Sequence, residues 1–193
     1  IGSYKTFEWS GEVIGTQIDT ATGTITSTVD WSAQAQLDLK TKAACDNRSV
    51  YLMRAGATNN LVNFSWSTQQ CDASGAPAGA IADGLNATER GYFGLSNLML
   101  MSQYPAMSAA QRSAAEGANL VNFLRGQRGF ENFESGVATT LYRVRPHVLG
   151  DVVGGQPVYV KAPLNGYVDT GYQAFKAAQA ARTPMVYVAA NDG

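Results

Sequence analysis

Met185-Val186-Tyr187-Val188-Ala189-Ala190-Asn191-Asp192-Gly193 is an apolar, partly β-branched run that stands behind Pro184 and ends in the residues a tight hairpin uses. It reads as a strand entering a turn, because Asn-Asp-Gly supplies the positive φ values that two-residue hairpins require. The returning strand is not among the 193 residues. An apolar strand with one unpaired edge invites aggregation unless other polypeptide covers it. The expectation is therefore a piece of a larger β protein, with Ile1 as a processed or cut end.

Upstream of that strand, residues 171–182 read as a helix with Tyr172, Phe175 and Ala178 on one side, ended by Thr183-Pro184. Residues 156–161 and 139–144 are strand-like. Ser108-Ala109-Ala110-Gln111 has the spacing of a capping box, so a helix is expected over 108–125 with its stop at Gly126. Ala110, Ala114, Gly117, Val121 and Leu124 form its expected packing stripe. Residues 67–91 are rich in Gly, Ala, Asp and Ser and carry Pro77, which reads as one long loop.

Residues 48–54 and 61–66 read as a strand pair around a Gly-Asn loop. A first strand is expected over about 4–18, where Phe7-Glu8-Trp9 begins an alternation that continues past Gly11 to Val13 and Ile14. Asp19-Thr20-Ala21-Thr22-Gly23 then turns the chain into the β-branched residues 24–29. Residues 31–39 fit either a strand or a helix, with the helix favoured by Ala, Gln and Leu and by Ser32 as a cap. The sum is mainly β with inserted helices and without a βαβ rhythm, which points to a sandwich or a propeller over a doubly wound sheet. No fixed-period repeat is visible.

Composition narrows the class. An apolar fraction of 45% excludes disorder, and a charged fraction of 15% with abundant Thr, Ser, Asn, Gln and Gly matches secreted β proteins. A net charge of −1 leaves no electrostatic footprint for nucleic acid or anionic lipid. No apolar run is long enough for a membrane span. Cys45 and Cys71 are the only cysteines. An exported protein would pair them; two buried thiols are the alternative, and neither has a second ligand at metal-binding spacing.

Phosphate-binding, dinucleotide-binding, nucleophile-elbow and zinc-protease motifs are all absent. No catalytic, cofactor-binding or metal-binding residue is assigned. His147 follows Arg143, Arg145 and Pro146 and reads as a structural or surface residue in a cationic stretch. Glu131 and Glu134 read as a solvated acidic turn, not a glycosidase pair. Asn47, Asn63 and Asn86 match the glycosylation acceptor pattern, a common chance match in a chain rich in Ser and Thr.

Several blocks carry a resemblance. Asn119-Leu120-Val121-Asn122-Phe123-Leu124-Arg125-Gly126 is followed by Tyr142-Arg143-Val144-Arg145, Leu149-Gly150-Asp151-Val152-Val153, Gln156-Pro157-Val158-Tyr159-Val160 and the terminal strand. In this order they resemble the C-terminal propeller region of the PilC/PilY family, adhesins at the tips of bacterial type IV pili. Trp31-Ser32-Ala33, Arg48-Ser49-Val50-Tyr51 and Leu61-Val62-Asn63-Phe64 resemble its earlier segments more loosely. The loop from Trp66 to about Gly94 has no counterpart in the resemblance.

The resemblance implies that residues 1–193 are the N-terminal portion of a β-propeller with quinoprotein-dehydrogenase-like blades, incomplete at the C-terminus. It implies an exported, non-enzymatic protein at the pilus tip or cell surface. Such a protein primes pilus assembly with minor pilins and the rest of the same adhesin, and supports attachment and twitching motility. Some members carry an aspartate-rich calcium loop and an integrin-type RGD. Neither stands here: Arg125-Gly126-Gln127 is not RGD, and the resemblance implies that the calcium loop belongs to the part of the propeller beyond Gly193.

Structural roles follow as expectations. Gly150-Asp151 makes a tight turn whose carboxylate accepts backbone N–H groups, and Asn191-Asp192-Gly193 does the same at a hairpin. Arg125, Arg143 and Arg145 bridge carbonyls or carboxylates with their planar forks. Two other functions share these features. A quinone-dependent oxidoreductase uses the same propeller but needs vicinal cysteines and a cluster of cofactor-binding polar groups, which this stretch lacks; a generic secreted carbohydrate-binding β domain is the other.

Overall fold

The computed structural model describes residues 2–5, 9–135 and 137–191. In chain order its elements are β1 (Gly2–Lys5), β2 (Ser10–Ile18), β3 (Ile25–Ser32), α1 (Ala33–Lys40), β4 (Tyr51–Met53), β5 (Leu61–Asn63), β6 (Gln69–Cys71) and β7 (Pro77–Ala80). Then follow α2 (Ala87–Gly91), α3 (Leu95–Leu98), α4 (Ala109–Ala115), α5 (Ala118–Leu124), β8 (Val158–Val160), α6 (Tyr172–Ala178) and β9 (Met185–Tyr187). The strands form one three-stranded sheet, β1-β2-β3, and the pairs β4-β5, β6-β7 and β8-β9, all antiparallel. The fold is β-rich with interleaved short helices, and among the described residues no sheet closes into a barrel.

The chain divides into a terminal unit, Ile1–Gln34 with Leu149–Gly193, and a central unit, Ala35–Val148. In the terminal unit the strand expected over 4–18 is two strands. Lys5 pairs with Ser10, and Trp9 takes a φ of 51° beside that reversal. A single residue in the left-handed region redirects the chain where alternation alone suggests continuity. Phe7 and Glu8, which open the alternation, lie outside the described residues.

The turn at 19–23 forms as its composition demands. The Asp19 carboxylate accepts the Ala21 N–H at 2.8 Å, Gly23 N donates to the Asp19 carbonyl at 2.7 Å, and Gly23 has a φ of 70°. Asp19's carboxyl is held below its usual range, first by that Ala21 N–H. Residues 33–40 are helical, and Glu12 of β2 serves the helix start. Its carboxylate accepts from the Gln34 N–H at 3.2 Å and the Ser32 hydroxyl at 2.7 Å. A carboxylate on orphan N–H groups stabilises a helix N-terminus whichever element supplies it.

The terminal strand forms as β9 and pairs with β8 in the register Val158 to Tyr187. Among the described residues no strand lies on its other edge. Asp192 and Gly193 lie outside the described residues. The helix expected over 171–182 is α6, shorter at its C-terminal end.

In the central unit, three expectations are corrected. Residues 67–91 are not one loop: β6 and β7 form a hairpin and α2 follows. The Asp72 carboxylate makes that hairpin by accepting from the Ser74 N–H, the Ser74 hydroxyl and the Ala76 N–H at 2.7 to 3.0 Å, with Gly75 at a φ of 85°. α2 is started by a capping box of Asn86 with Glu89, the residue that the glycosylation pattern singled out.

Residues 108–125 are likewise two helices. The Ser108–Gln111 capping box is present, but Gly117 at a φ of 74° breaks the run between α4 and α5. The buried side is Gln111 and Ala115 with Leu120, Val121, Asn122 and Phe123, whereas Leu124 of the expected stripe is exposed. Residues 139–144 make no strand, only an isolated bridge between Tyr142 and Glu131. The core gathers Leu98, Met107, Ala115, Leu120, Phe123, Leu141 and Tyr142. Phe123 and Tyr142 stack at 4.4 Å, and the Tyr142 hydroxyl donates to the Ala115 carbonyl.

Candidate functional site

Arg125 and Asp46 are the most heavily bonded side chains among the described residues of the central unit, with four hydrogen bonds each. Arg125 is delivered by the end of α5, where the chain closes in a two-bond C-cap. The Gln127 N–H donates to the Asn122 carbonyl at 3.0 Å, and the Gly126 N–H to the Phe123 carbonyl at 2.8 Å. This pattern needs a left-handed residue at its centre, and Gly126 has a φ of 109°. A Cβ there would come within 2.8 Å of the methyl carbons of Thr41 and Val148, so glycine is demanded twice.

Arg125 Nε and Nη2 donate to the Asp46 carboxylate at 3.1 and 2.5 Å, Nη1 to the Phe64 carbonyl at 2.7 Å, and Nη2 to the Arg48 carbonyl at 2.7 Å. Gln127 Nε2 adds a bond to Asp46 at 3.0 Å. Both charged side chains are essentially inaccessible to solvent. A desolvated ion pair is tolerable only when its remaining donors and lone pairs are satisfied, as they are here. The neighbouring residue, Cys45, is joined to Cys71 by a disulfide with the Cα atoms 5.2 Å apart. Asn47, on the other side of Asp46, exchanges bonds with the Cys71 backbone. Asp46 is thus held from both flanks.

Arg145 makes a second network. It donates to Glu131 at 2.7 Å and to the Phe123 and Gln127 carbonyls at 2.8 and 3.1 Å, and its guanidinium lies 3.8 Å over the Phe123 ring. Burial pulls the Arg145 guanidinium down from its usual range, opposed by the Glu131 hydrogen bond, while burial alone pushes the Tyr142 hydroxyl up. Glu131 is accordingly buried and paired, and Glu134 is exposed, which corrects the reading of both as one solvated turn.

Arg143 behaves otherwise. It is exposed, makes no hydrogen bond or ion pair among the described residues, and lines a cavity of about 420 Å³ with Ser102, Gln103, Asn132, Phe133, Glu134 and Val144. His147 has a partner that its cationic neighbours in sequence do not suggest. Its Nδ1 lies 2.7 Å from Asp38, whose carboxylate also accepts from Arg128 at 2.9 Å and from the Val148 N–H at 3.2 Å. No local signal in the sequence joins residues 109 positions apart.

In the terminal unit, Gly150 bridges Ser10, and a Cβ on Gly11 would meet the Gly150 carbonyl at 2.3 Å. The Asp151 carboxylate accepts from the Asn191 side-chain amide at 3.1 Å, while its backbone carbonyl accepts the Asn191 N–H at 2.9 Å. This corrects the expectation of backbone N–H groups on the carboxylate: Asp151 and Asn191 hold each other. Among the described residues no group of three or more His, Cys, Asp or Glu is placed to hold a metal ion, and no helix is long and apolar enough to cross a membrane. What the two arginine networks can do chemically is fix backbone carbonyls from distant segments onto one helix end.

The chain is 27% identical over 194 residues to the type IV pilus biogenesis factor PilY1 of Pseudomonas aeruginosa strain UCBPP-PA14, a match covering 96% of this chain and 13% of that protein. It is 43% identical over 88 residues to the PilY1 homolog of Xylella fastidiosa strain Temecula1, covering 42% of this chain and 7% of that one. PilY1 of P. aeruginosa strain PAK is 26% identical over 192 residues. The chain spans about one seventh or less of the length of these curated relatives. No family model matches the chain, and no solved structure does.

Proposed function

Because the chain is PilY1-like along nearly its whole length, we propose that it is a non-enzymatic segment of a type IV pilus biogenesis factor, acting as scaffold in a pilus-tip adhesin. The single observation that carries this is the 27% identity sustained over 96% of the chain with a protein of that name. The antiparallel pairs serve as blades of a partial propeller, and the buried arginine networks keep the central unit rigid. The protein is exported and stands at the cell surface or pilus tip. There it works with minor pilins and the rest of its own chain in assembly, attachment and twitching motility. The Cys45–Cys71 bridge supports export, because disulfides persist in oxidising compartments.

The test is genetic. In the bacterium that encodes it, removal of residues 35–148 should abolish surface pili and twitching, and the same chain supplied in trans should restore both. Normal piliation and twitching in the deletion strain would refute the proposal.

A further inference from the structure

Eight of the nine arginines donate to a protein carbonyl, amide oxygen or carboxylate, and among the described residues Arg143 alone donates to none. Glu134 likewise accepts no hydrogen bond there, and the two charges face one cavity. Exposed charges are ordinarily just solvated. These two differ in what stands behind them.

Arg143 follows Tyr142, which is fully buried and bonded through its hydroxyl, and comes two residues before the largely covered, ion-paired Arg145. Glu134 follows Phe133, whose N–H donates to the Tyr142 carbonyl at 3.0 Å, and Asn132 in the same segment holds a φ of 75°. The Arg145 N–H donates to Glu131, so the segments 131–135 and 142–145 are tied at three points. Two opposite, unspent charges are therefore mounted on fixed backbones around about 420 Å³, within the size range of small-ligand sites. Fixed walls lower the ordering cost of binding.

We infer that this cavity binds a small zwitterion of amino-acid to dipeptide size, with its carboxylate on the Arg143 fork and its ammonium on Glu134. The guanidinium geometry suits a carboxylate, and the side-chain amides of Gln103 and Asn132 suit a peptide group between the two charges. Phe133 and Val144 offer apolar contact to the stem. Phosphate and other polyanions are disfavoured by the Glu134 charge on the same wall. This inference stands independently of the pilus-linked reading.

Calorimetric titration of the protein with glycylglycine tests it, with sodium acetate, ethylamine and inorganic phosphate as comparison probes. Glycylglycine is expected to bind saturably in the millimolar range and tighter than the other three. Arg143→Gln and Glu134→Gln should each weaken it by about tenfold or more, without a change in melting temperature, since both side chains are exposed. No saturable heat with glycylglycine, phosphate binding as tightly as glycylglycine, or unchanged affinity in both variants would overturn the inference.

Discussion

The terminal and central units are ordered by different forces. Among the described residues, thirteen apolar side chains are buried, eleven of them in the central unit and two, Val13 and Val152, in the terminal one. The terminal unit instead carries its order in strand ladders, while Ile18, Ile25, Val158, Tyr159, Met185 and Tyr187 remain exposed. A ladder satisfies backbone groups but removes little apolar surface from water, and burial is the dominant favourable term in folding. The difference teaches that hydrogen-bond pairing and core formation are separable in one chain. In the central unit, ionic networks and a disulfide add to the core.

That contrast can be broken, most severely, at Asp46. Asp46→Ala leaves the Arg125 guanidinium buried without its partner, which should cost about 3–5 kcal/mol. Denaturant unfolding read with hydrogen exchange should localise the loss to the central unit; a cost below about 1 kcal/mol would mean the pair is not desolvated. Reducing the Cys45–Cys71 bridge comes next. It closes 26 residues, and its loss should cost about 3–4 kcal/mol on the chain-entropy account. Equal melting temperatures with and without reductant would contradict that.

Acid should have a smaller effect that reaches both units. Glu89 is held below its ordinary 4.5, foremost by the Arg54 guanidinium, and Asp72 below 3.8, foremost by the Ser74 hydroxyl. In the terminal unit Asp19 is lowered by the Ala21 N–H. A carboxyl depressed in the folded state contributes stability present above its unfolded value and lost as the pH falls through the folded one. Melting temperatures are therefore expected to be level from neutral pH down to about 5 and to fall below about 4. Stability that rises on acidification through this window would reverse the sign.

The smallest expected effect sharpens the comparison from the other side. Asp151→Ala should cost less than about 1 kcal/mol, since among the described residues the carboxylate meets only the exposed Asn191 amide and the backbone bond to Asn191 survives. A loss above about 2 kcal/mol would show a buried acceptor in the terminal unit as well.

Much of the fold was legible where the signal is local. The β2–β3 turn at 19–23, the Ser108 capping box, the Gly126 stop and the pairing partners β4 and β5 all follow from residues a few positions apart. The reading failed where one residue changes the chain's direction. Trp9 and Gly117 each take a positive φ that alternation and helical propensity do not register, so one expected strand and one expected helix each became two elements. It failed again at 67–91, where the Asp72 turn and the Cys71 bridge give a hairpin to a stretch with no hydrophobic period.

The site divides in the same way. Arg125, Arg143 and Arg145 stand out in sequence, but the structure gives two of them buried carboxylates and leaves the third facing a cavity. Asp46 and Glu131, the partners that decide this, lie 79 and 14 residues from their arginines. Sequence by itself determined the β-rich class, the turn and cap positions and the similarity to pilus biogenesis factors, because each rests on short-range stereochemistry or on residue order. Only tertiary structure decided which charges are buried, which apolar residues form a core and which arginine faces a cavity. Those outcomes depend on how far a group is removed from water, and that is fixed by segments the chain brings together from a distance.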